Sequence, residues 1–377
     1  MILQRFLVLA SLLCASLTAA MAEEGVTDRE VRVGQFAATT GPAAQLGLRM
    51  QVGMQAAFAA VNAAGGVNGR EIKLITRDDG YEPAKSVEAV KALINEDKVF
   101  ALVGSVGTPT GLAAVPVLTE AQVPIVGMFT GAEALRVPFN RYVFHVRASY
   151  FDETERIVQH LTTLGVKKIA VFYQNDSYGK AGLEGVEKAL TARQLKPVAT
   201  GTFERNTVDV SKALDTILKA APEAVVQIGA YKACAAFIKQ ARTKGYGGQF
   251  FNVSFVGSKA LSDELGDAGM GVVISQVVPF PFVTNTSIVR EYQQAMTAAG
   301  QKEFDFSSME GYLSARVFIE GLRRAGRNPT RESLITGLES MRDVNFGGFI
   351  IAFSPTKHTG SGYTDLTIIG RGGKFVR

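Results

Sequence analysis

Val61-Asn62-Ala63-Ala64-Gly65-Gly66-Val67-Asn68-Gly69-Arg70-Glu71-Ile72-Lys73-Leu74 holds a complete helix-to-strand junction. Upstream of it, Leu46, Met50, Met54, Phe58 and Val61 recur at helical spacing. Gly65-Gly66 can take the left-handed conformation that ends a helix. Asn68-Gly69 makes a tight turn, and Ile72-Lys73-Leu74 opens a strand. Before the helix, Val31-Arg32-Val33 alternates as a strand and leads into Thr39-Thr40-Gly41-Pro42. The segment therefore reads as strand, helix, strand.

The same cycle continues outward. A helix is expected over 84–96, with Val87, Val90, Leu93 and Ile94 on one face, then a strand from Val99 to Val103. A helix follows Thr108, then a strand from Pro124 to Met128. Continuous apolar strands separated by helices indicate a parallel sheet covered on both faces. Residues 141–149 read as a strand crossing out of this unit. A second series opens with Asp152 as helix cap, with strands at Ile169–Tyr173, Ala224–Gly229, Phe250–Phe255 and Val272–Val278. Pro279-Phe280-Pro281 marks a return crossing. Helices over 286–299, 307–325 and 330–340 follow, then strands at 349–353 and 365–370 and a Gly-Gly turn at 372–373.

No repeat, heptad run or low-complexity linker interrupts this order. The expected fold is α/β, with two doubly wound parallel-sheet lobes and a ligand cleft between them. The first lobe comprises 23–147 with 282–350, and the second 148–281 with 351–377.

Composition agrees with two lobes. A chain of 377 residues rarely grows a single core, and 47% hydrophobic with 20% charged residues is ordinary globular usage. A net charge of +5, without any run of five like charges, argues against a dedicated nucleic-acid binder. Arg5, the apolar run Phe6 to Leu17 and Ala20-Met21-Ala22 form a secretory signal cleaved after Ala22. That run is too short for a membrane span. Cys14 raises a lipoprotein alternative, against which stands Leu13, where a small residue is needed. Cleavage leaves one cysteine, Cys234. It shares a helix face with Phe237, Ile238 and Ala241 and reads as a buried, inert thiol. A product soluble outside the cytoplasm is expected.

In open α/β sheets ligands bind beyond the carboxyl ends of the strands. Gly104-Ser105-Val106-Gly107-Thr108-Pro109 lies at one such end, with Thr108 as helix cap and Pro109 at the first helical position. Thr130-Gly131 follows the next strand. Free N–H groups there, backed by the helix dipole, would hold a carboxylate or another small anion. Gly and Thr also serve such junctions without any ligand. Tyr178 and Tyr231 end strands in the second lobe, where a polar-tipped ring suits a cleft wall or simple packing.

Catalytic and metal motifs are missing. His145, His160 and His358 have no zinc-site spacing, no Gly-x-Ser-x-Gly elbow occurs, and no phosphate loop follows the first strand. Asp78-Asp79 reads as a solvated turn, since adjacent strand residues face opposite ways. Neither an enzyme nor a cofactor or metal protein is expected.

The 61–74 stretch with Asp78-Asp79 resembles the periplasmic leucine/isoleucine/valine-binding family, the solute receptors of ABC importers. Thr40-Gly41-Pro42, Gln174-Asn175-Asp176-Ser177-Tyr178-Gly179 and Glu310-Gly311-Tyr312 fit it too, and the similarity runs from about Val31 to about Gly348. The resemblance implies a type I periplasmic binding fold with three crossings. It implies a ligand carboxylate held by Thr108 and the Phe129-Thr130-Gly131 turn, with Tyr178 and Tyr231 as aromatic walls. Ser254 stands where branched-chain amino-acid binders carry the carboxylate that pairs with the ligand ammonium, and Leu46 where they carry a Tyr. An unpaired buried ammonium is costly. The expected ligand is therefore a small hydrophobic or aromatic carboxylate, with an amino acid as the family's alternative. Tyr150, just past the first crossing, reaches that ligand or packs the hinge. The expected partners are the membrane subunits of an ABC permease, and no nucleic acid, with the receptor a monomer. A soluble periplasmic sensor for a membrane signalling partner is the competing reading.

Overall fold

The computed structural model describes residues 23–377; the expected signal, with Cys14 and the cleavage site after Ala22, lies outside them. The first sheet takes β1 (Glu30–Ala37), β2 (Glu71–Asp78), β3 (Ala101–Val103), β4 (Ile125–Val126) and β5 (Val143–Phe144). Its order is β2-β1-β3-β4-β5 and every pair is parallel. The connecting helices are α1 (Ala44–Ala63), α2 (Pro83–Asn95) and α3 (Thr108–Glu120). The chain then crosses into α4 (Tyr150–Thr163), which precedes β6 (Ile169–Gln174), α5 (Ser177–Thr191), β7 (Thr200–Phe203) and α6 (Ser211–Lys219). Next come β8 (Ala224–Ile228), α7 (Tyr231–Thr243), β9 (Gln249–Asn252), α8 (Ser258–Leu265) and β10 (Val273–Gln276).

After β10 the chain returns to the first sheet. Here α9 (Ser287–Ala298) and α10 (Phe306–Ala325) pack on α1, with α11 (Arg331–Glu339) against α10. A small antiparallel pair, β11 (Val344–Asn345) and β12 (Ile350–Ile351), precedes the last crossing. β13 (Asp365–Ile369) and β14 (Phe375–Val376) then complete the second sheet, in the order β14-β13-β10-β9-β8-β6-β7. β6 to β10 pair in parallel, while β13 and β14 add an antiparallel edge. The two lobes are thus doubly wound α/β units joined by three crossings.

The opening motif works as its residue types require. Gly65 and Gly66 have φ of +94° and +76°, and the Gly66 N–H donates to Val61 O at 2.9 Å to close α1. A Cβ on Gly66 would lie 2.0 Å from Arg70 O, so the turn admits only glycine there. The Asn62 side chain brackets Ile72, accepting from its N–H at 2.8 Å and donating to its carbonyl at 3.0 Å. That pair of bonds fastens the end of α1 to the start of β2.

Three local expectations change. Of 141–149 only Val143–Phe144 pairs as strand; the rest is the crossing itself. Ser149, not Asp152, caps α4: its Oγ accepts from Asp152 N–H at 3.2 Å, and Asp152 Oδ2 accepts from Ser149 N–H at 2.9 Å. Asp152 is the third residue of a capping box, a better use of an acid in the first turn. β7, α6 and α8 were not named from the sequence, although α6 buries Ala213, Leu214 and Ile217 on one face and β7 alternates exposed and buried positions. Cys234 is buried on α7 as expected.

Candidate ligand site between the lobes

The first-lobe part of the site is built at the ends of β3 and β4. Gly107 caps α3 with φ of +111°, so Thr108 sits one place inside the helix and does not cap it. Its hydroxyl is thereby freed to meet Thr130 Oγ1 at 2.6 Å, both groups fully buried. Thr130 Oγ1 lies 3.4 Å from the Tyr150 hydroxyl and accepts from Ala132 N–H at 3.3 Å. Gly131 O accepts from Tyr150 N–H at 2.7 Å, and a Cβ on Gly131 would lie 2.7 Å from the Tyr150 ring. The two turns are stitched together by Phe129 N–H to Ser105 O at 2.8 Å and Gly107 N–H to Phe129 O at 3.2 Å. Both hydroxyls thus lie at the N-terminus of α3, and helix N-termini in general attract anions.

Aromatic rings close over this corner. Asp176 caps α5 and accepts from Tyr178 N–H at 2.9 Å, which aims Tyr178 at the interface. Ring centroids lie 5.4 Å apart for Tyr150 and Tyr178, 4.6 Å for Tyr178 and Phe255, and 5.2 Å for Phe129 and Phe255. Tyr81, in the left-handed region at φ +62°, reaches across from the first lobe to within 6.0 Å of Phe255. Burial raises the Tyr178 phenol well above its usual pKa, and its hydroxyl has no protein partner among the described residues. Leu46 and Tyr231 meet farther out, on either side of Gly257, whose Cβ position lies 2.6 Å from Leu46 Cδ2 and 3.8 Å from Tyr231 Cδ1. Tyr231 also edges a groove of about 540 Å³ with Gly41, Gln45 and Glu264. The structure thus gathers Thr108, Phe129, Thr130, Gly131, Tyr150 and Tyr178 into one group, with Leu46 and Tyr231 at its rim.

Ser254 leads to a charge cluster. Arg147, in the first crossing, donates to Glu153 Oε1 at 2.6 Å, to Glu310 Oε1 at 3.3 Å and to Ser254 Oγ. Its guanidinium carbon lies 5.4 Å from the Phe129 ring centroid and 5.7 Å from that of Tyr150. Glu153 accepts from Ser254 N–H at 2.8 Å, from Ser254 Oγ at 3.0 Å and from Ser275 Oγ. Side-chain exposure is 1% for Arg147, 0% for Glu153 and 3% for Glu310. Burial opposes the Arg147 charge, yet Glu310 and Glu153 outweigh it and raise the guanidinium pKa. Burial pushes the Glu310 carboxyl up to about 7, with Arg147 pulling against it. Position 254 itself carries no acid, but α4 delivers one to the same place.

The lobes also meet at the outer edge. Glu82 accepts from Arg205 Nη2 at 2.9 Å and from Asn206 Nδ2 at 2.7 Å, and Asn206 also donates to Gly80 O at 3.0 Å. Gln174 Nε2 reaches the Tyr81 hydroxyl at 3.4 Å. These bonds join the β2–α2 turn to the ends of β6 and β7 and hold the lobes closed. Within that turn only Asp78 fits the solvated reading: it accepts from Thr39 N–H at 2.8 Å, and such bonds outweigh its partial burial to hold its carboxyl at about 2. Asp79 is fully buried, which pushes its carboxyl up to about 7. The opposite-face rule held; what it hid was that one of the two faces is interior.

Arg147, Glu153, Tyr81 and Phe255 escaped the sequence reading. Arg147 lay in a segment read as strand, and Glu153 beside an acid assigned to capping. Glu310 was visible only within Glu310-Gly311-Tyr312, with no chemistry attached to it.

A closed two-lobe α/β structure, with a buried hydroxyl pair and an aromatic wall at the carboxyl ends of its strands, has the architecture of a cleft-type binding protein. A family model described as periplasmic binding protein matches residues 30–374, and the chain belongs to that family. Its structure is similar to that of a possible leucine/isoleucine/valine-binding protein from Rhodopirellula baltica, at TM-score 0.89 and 35% identity over 93% of this chain and 97% of the other. A substrate-binding periplasmic protein from Ralstonia solanacearum is similar at TM-score 0.87 and 33% identity, covering 92% and 99%. A Leu/Ile/Val-binding protein homolog 7 from Brucella suis is 26% identical over 328 residues, 83% of this chain and 82% of its own.

Proposed function

We propose that this protein is the exported receptor of an ABC importer, which closes its lobes on a small hydrophobic or aromatic carboxylate and presents the closed form to a membrane permease. The lobe boundaries are taken at the crossings near 147, 281 and 351. The ligand carboxylate is held by Thr108, Thr130 and the Gly131 turn, and its body is enclosed by Phe129, Tyr150, Tyr178 and Tyr231, with Ser254 and Leu46 bordering the space.

The observation that carries this reading is the buried Thr108–Thr130 hydroxyl pair at 2.6 Å at the N-terminus of α3, under an aromatic wall drawn from both lobes. Ligand that touches both lobes favours the closed population, which is the receptor's output. An amino acid is the second reading, favoured by the Glu153 carboxylate beside Ser254 and by the name of the Brucella suis relative.

Thermal unfolding against benzoate, phenylacetate and leucine tests it. A ligand at a hundredfold excess over Kd adds about 2.7 kcal/mol. Thr108→Val keeps the side-chain shape and removes the hydroxyl. A hydrogen bond to a charged group contributes about 1.5–3 kcal/mol, so the variant should weaken binding roughly 10- to 150-fold. Unchanged affinity in Thr108→Val would place the anchor elsewhere.

A further inference from the structure

We infer that Glu310 is a proton-linked positioning residue of this site, so that a ligand bearing one carboxylate and no cation is bound together with a proton taken up at Glu310. The inference rests on the carboxylate reading above and adds its regulation.

The geometry is a buried cluster with one more acid than base. Arg147 serves two carboxylates, and the two are not equally served. Glu153 takes bonds on both oxygens, from Arg147, from the Ser254 amide and hydroxyl, and from Ser275. Among the described residues Glu310 has a single side-chain bond, from Arg147 at 3.3 Å. The surplus negative charge therefore resides on Glu310, where protonation costs the cluster least. Burial already holds this carboxyl at about 7, between its two charge states at neutral pH.

Few other charges face Glu310. Arg147 in the crossing, Glu153 on α4 and, more distantly, Arg136 are the groups that act on it. Among its packing neighbours, β3 and β4 carry no charged residue, and Arg49, the one charge on α1, is held by Asp305. On α11, Arg331 pairs with Glu23 and Glu24, Glu332 with Arg141 and Glu339 with His358. On α8, Lys259 pairs with Asp263, and Glu264 lines the rim groove.

An anion at Thr108 and Thr130 adds negative charge close to this cluster. The Tyr150 ring, 5.7 Å from the Arg147 guanidinium, has its hydroxyl 3.4 Å from Thr130 Oγ1. A like charge nearby disfavours ionisation, so Glu310 picks up a proton as the ligand binds. A ligand ammonium facing the cluster would do the reverse and expel that proton. The sign of the proton change thus reports the ligand's charge, and a second carboxylate on the ligand meets repulsion that one proton cannot relieve.

The test is calorimetric titration of the wild-type protein with benzoate at pH 7 in phosphate and in Tris, whose ionisation enthalpies differ, together with affinities at pH 6 and pH 8. Proton uptake, and benzoate affinity falling several-fold between pH 6 and pH 8, up to tenfold per unit for one linked proton, are expected. Glu310→Gln should flatten that dependence. Equal heats in the two buffers, or the same slope in Glu310→Gln, overturns the inference.

A measurement without ligand separates this from the carboxylate reading. Glu310 has a raised folded-state pKa, so the folded state holds the extra proton. Wild-type stability should fall relative to Glu310→Gln as pH rises from about 4.5 to about 7, and level above that. A difference that does not change with pH overturns the inference even if benzoate binds. Failure of benzoate to bind, with this pH-dependent difference present, overturns only the carboxylate reading. Should Glu310→Gln not fold, the carboxyl carbon of Glu310 followed by NMR in the wild-type protein gives the same decision: a midpoint near 4.5 refutes it.

Discussion

Replacing Arg147 by Met should be among the most destabilising single changes in this protein. The side chain is 1% exposed, and it neutralises two carboxylates that are 0% and 3% exposed. Methionine fills much of the volume, so the cost is electrostatic and not a cavity. Removing one partner of a buried ion pair typically costs about 3–5 kcal/mol, because the remaining charge stays desolvated. The cation–π contacts to Phe129 and Tyr150 add about 0.5–2 kcal/mol each. Against a total stability of about 5–15 kcal/mol, that is a large share. For a lobe-sized unit the ion-pair cost alone corresponds to a fall in Tm of roughly 6–20 °C at about 2–4 °C per kcal/mol.

The assay is thermal unfolding of wild type, Arg147→Met and the triple variant Arg147→Met/Glu153→Gln/Glu310→Gln. The triple variant removes all three charges at once, and replacing a whole buried cluster is often near neutral. It should recover most of the loss. Wild type and Arg147→Met should also converge on acidification, since protonating Glu310 relieves one of the two stranded charges. A single-variant loss below about 1 kcal/mol, or a triple variant less stable than the single, would refute the reasoning.

Two further outcomes follow from close packing. Gly107→Ala should lower stability by more than about 1 kcal/mol and weaken ligand binding: φ is +111°, and the new Cβ would lie 2.3 Å from Thr110 Oγ1 and 2.6 Å from Tyr81 Cε2. Circular dichroism melts with binding titrations check it, and wild-type behaviour in both would be contrary. Cys234 is fully buried and burial alone raises its thiol pKa, so Ellman's reagent at pH 8 should label it only on unfolding. Prompt labelling of the native protein would show that α7 does not cover it.

The alternation of apolar strands and helices was legible because it obeys local periodicities of two and 3.6 residues, and because turn residues carry their own conformational limits. Gly65-Gly66 and Asn68-Gly69 stop a helix and reverse a chain wherever they occur. For the same reason the Thr108 and Thr130 turns, at strand ends, stand out in the sequence as a candidate anion site. Capping details were less legible. Thr108 and Asp152 each have a residue type suited to the cap, yet Gly107 and Ser149 hold those places, since one residue's shift changes nothing in the pattern.

What tertiary structure alone decided is the chemistry across the cleft. Arg147, Glu153, Ser254 and Glu310 come from a crossing, two second-lobe elements and a first-lobe helix, with up to 163 positions between bonded partners. No local pattern records which distant charge will neutralise a buried one. Sequence showed that position 254 lacks an acid; folding supplied one from α4, because a carboxylate is recognised by where its oxygens lie and not by the residue number that carries it.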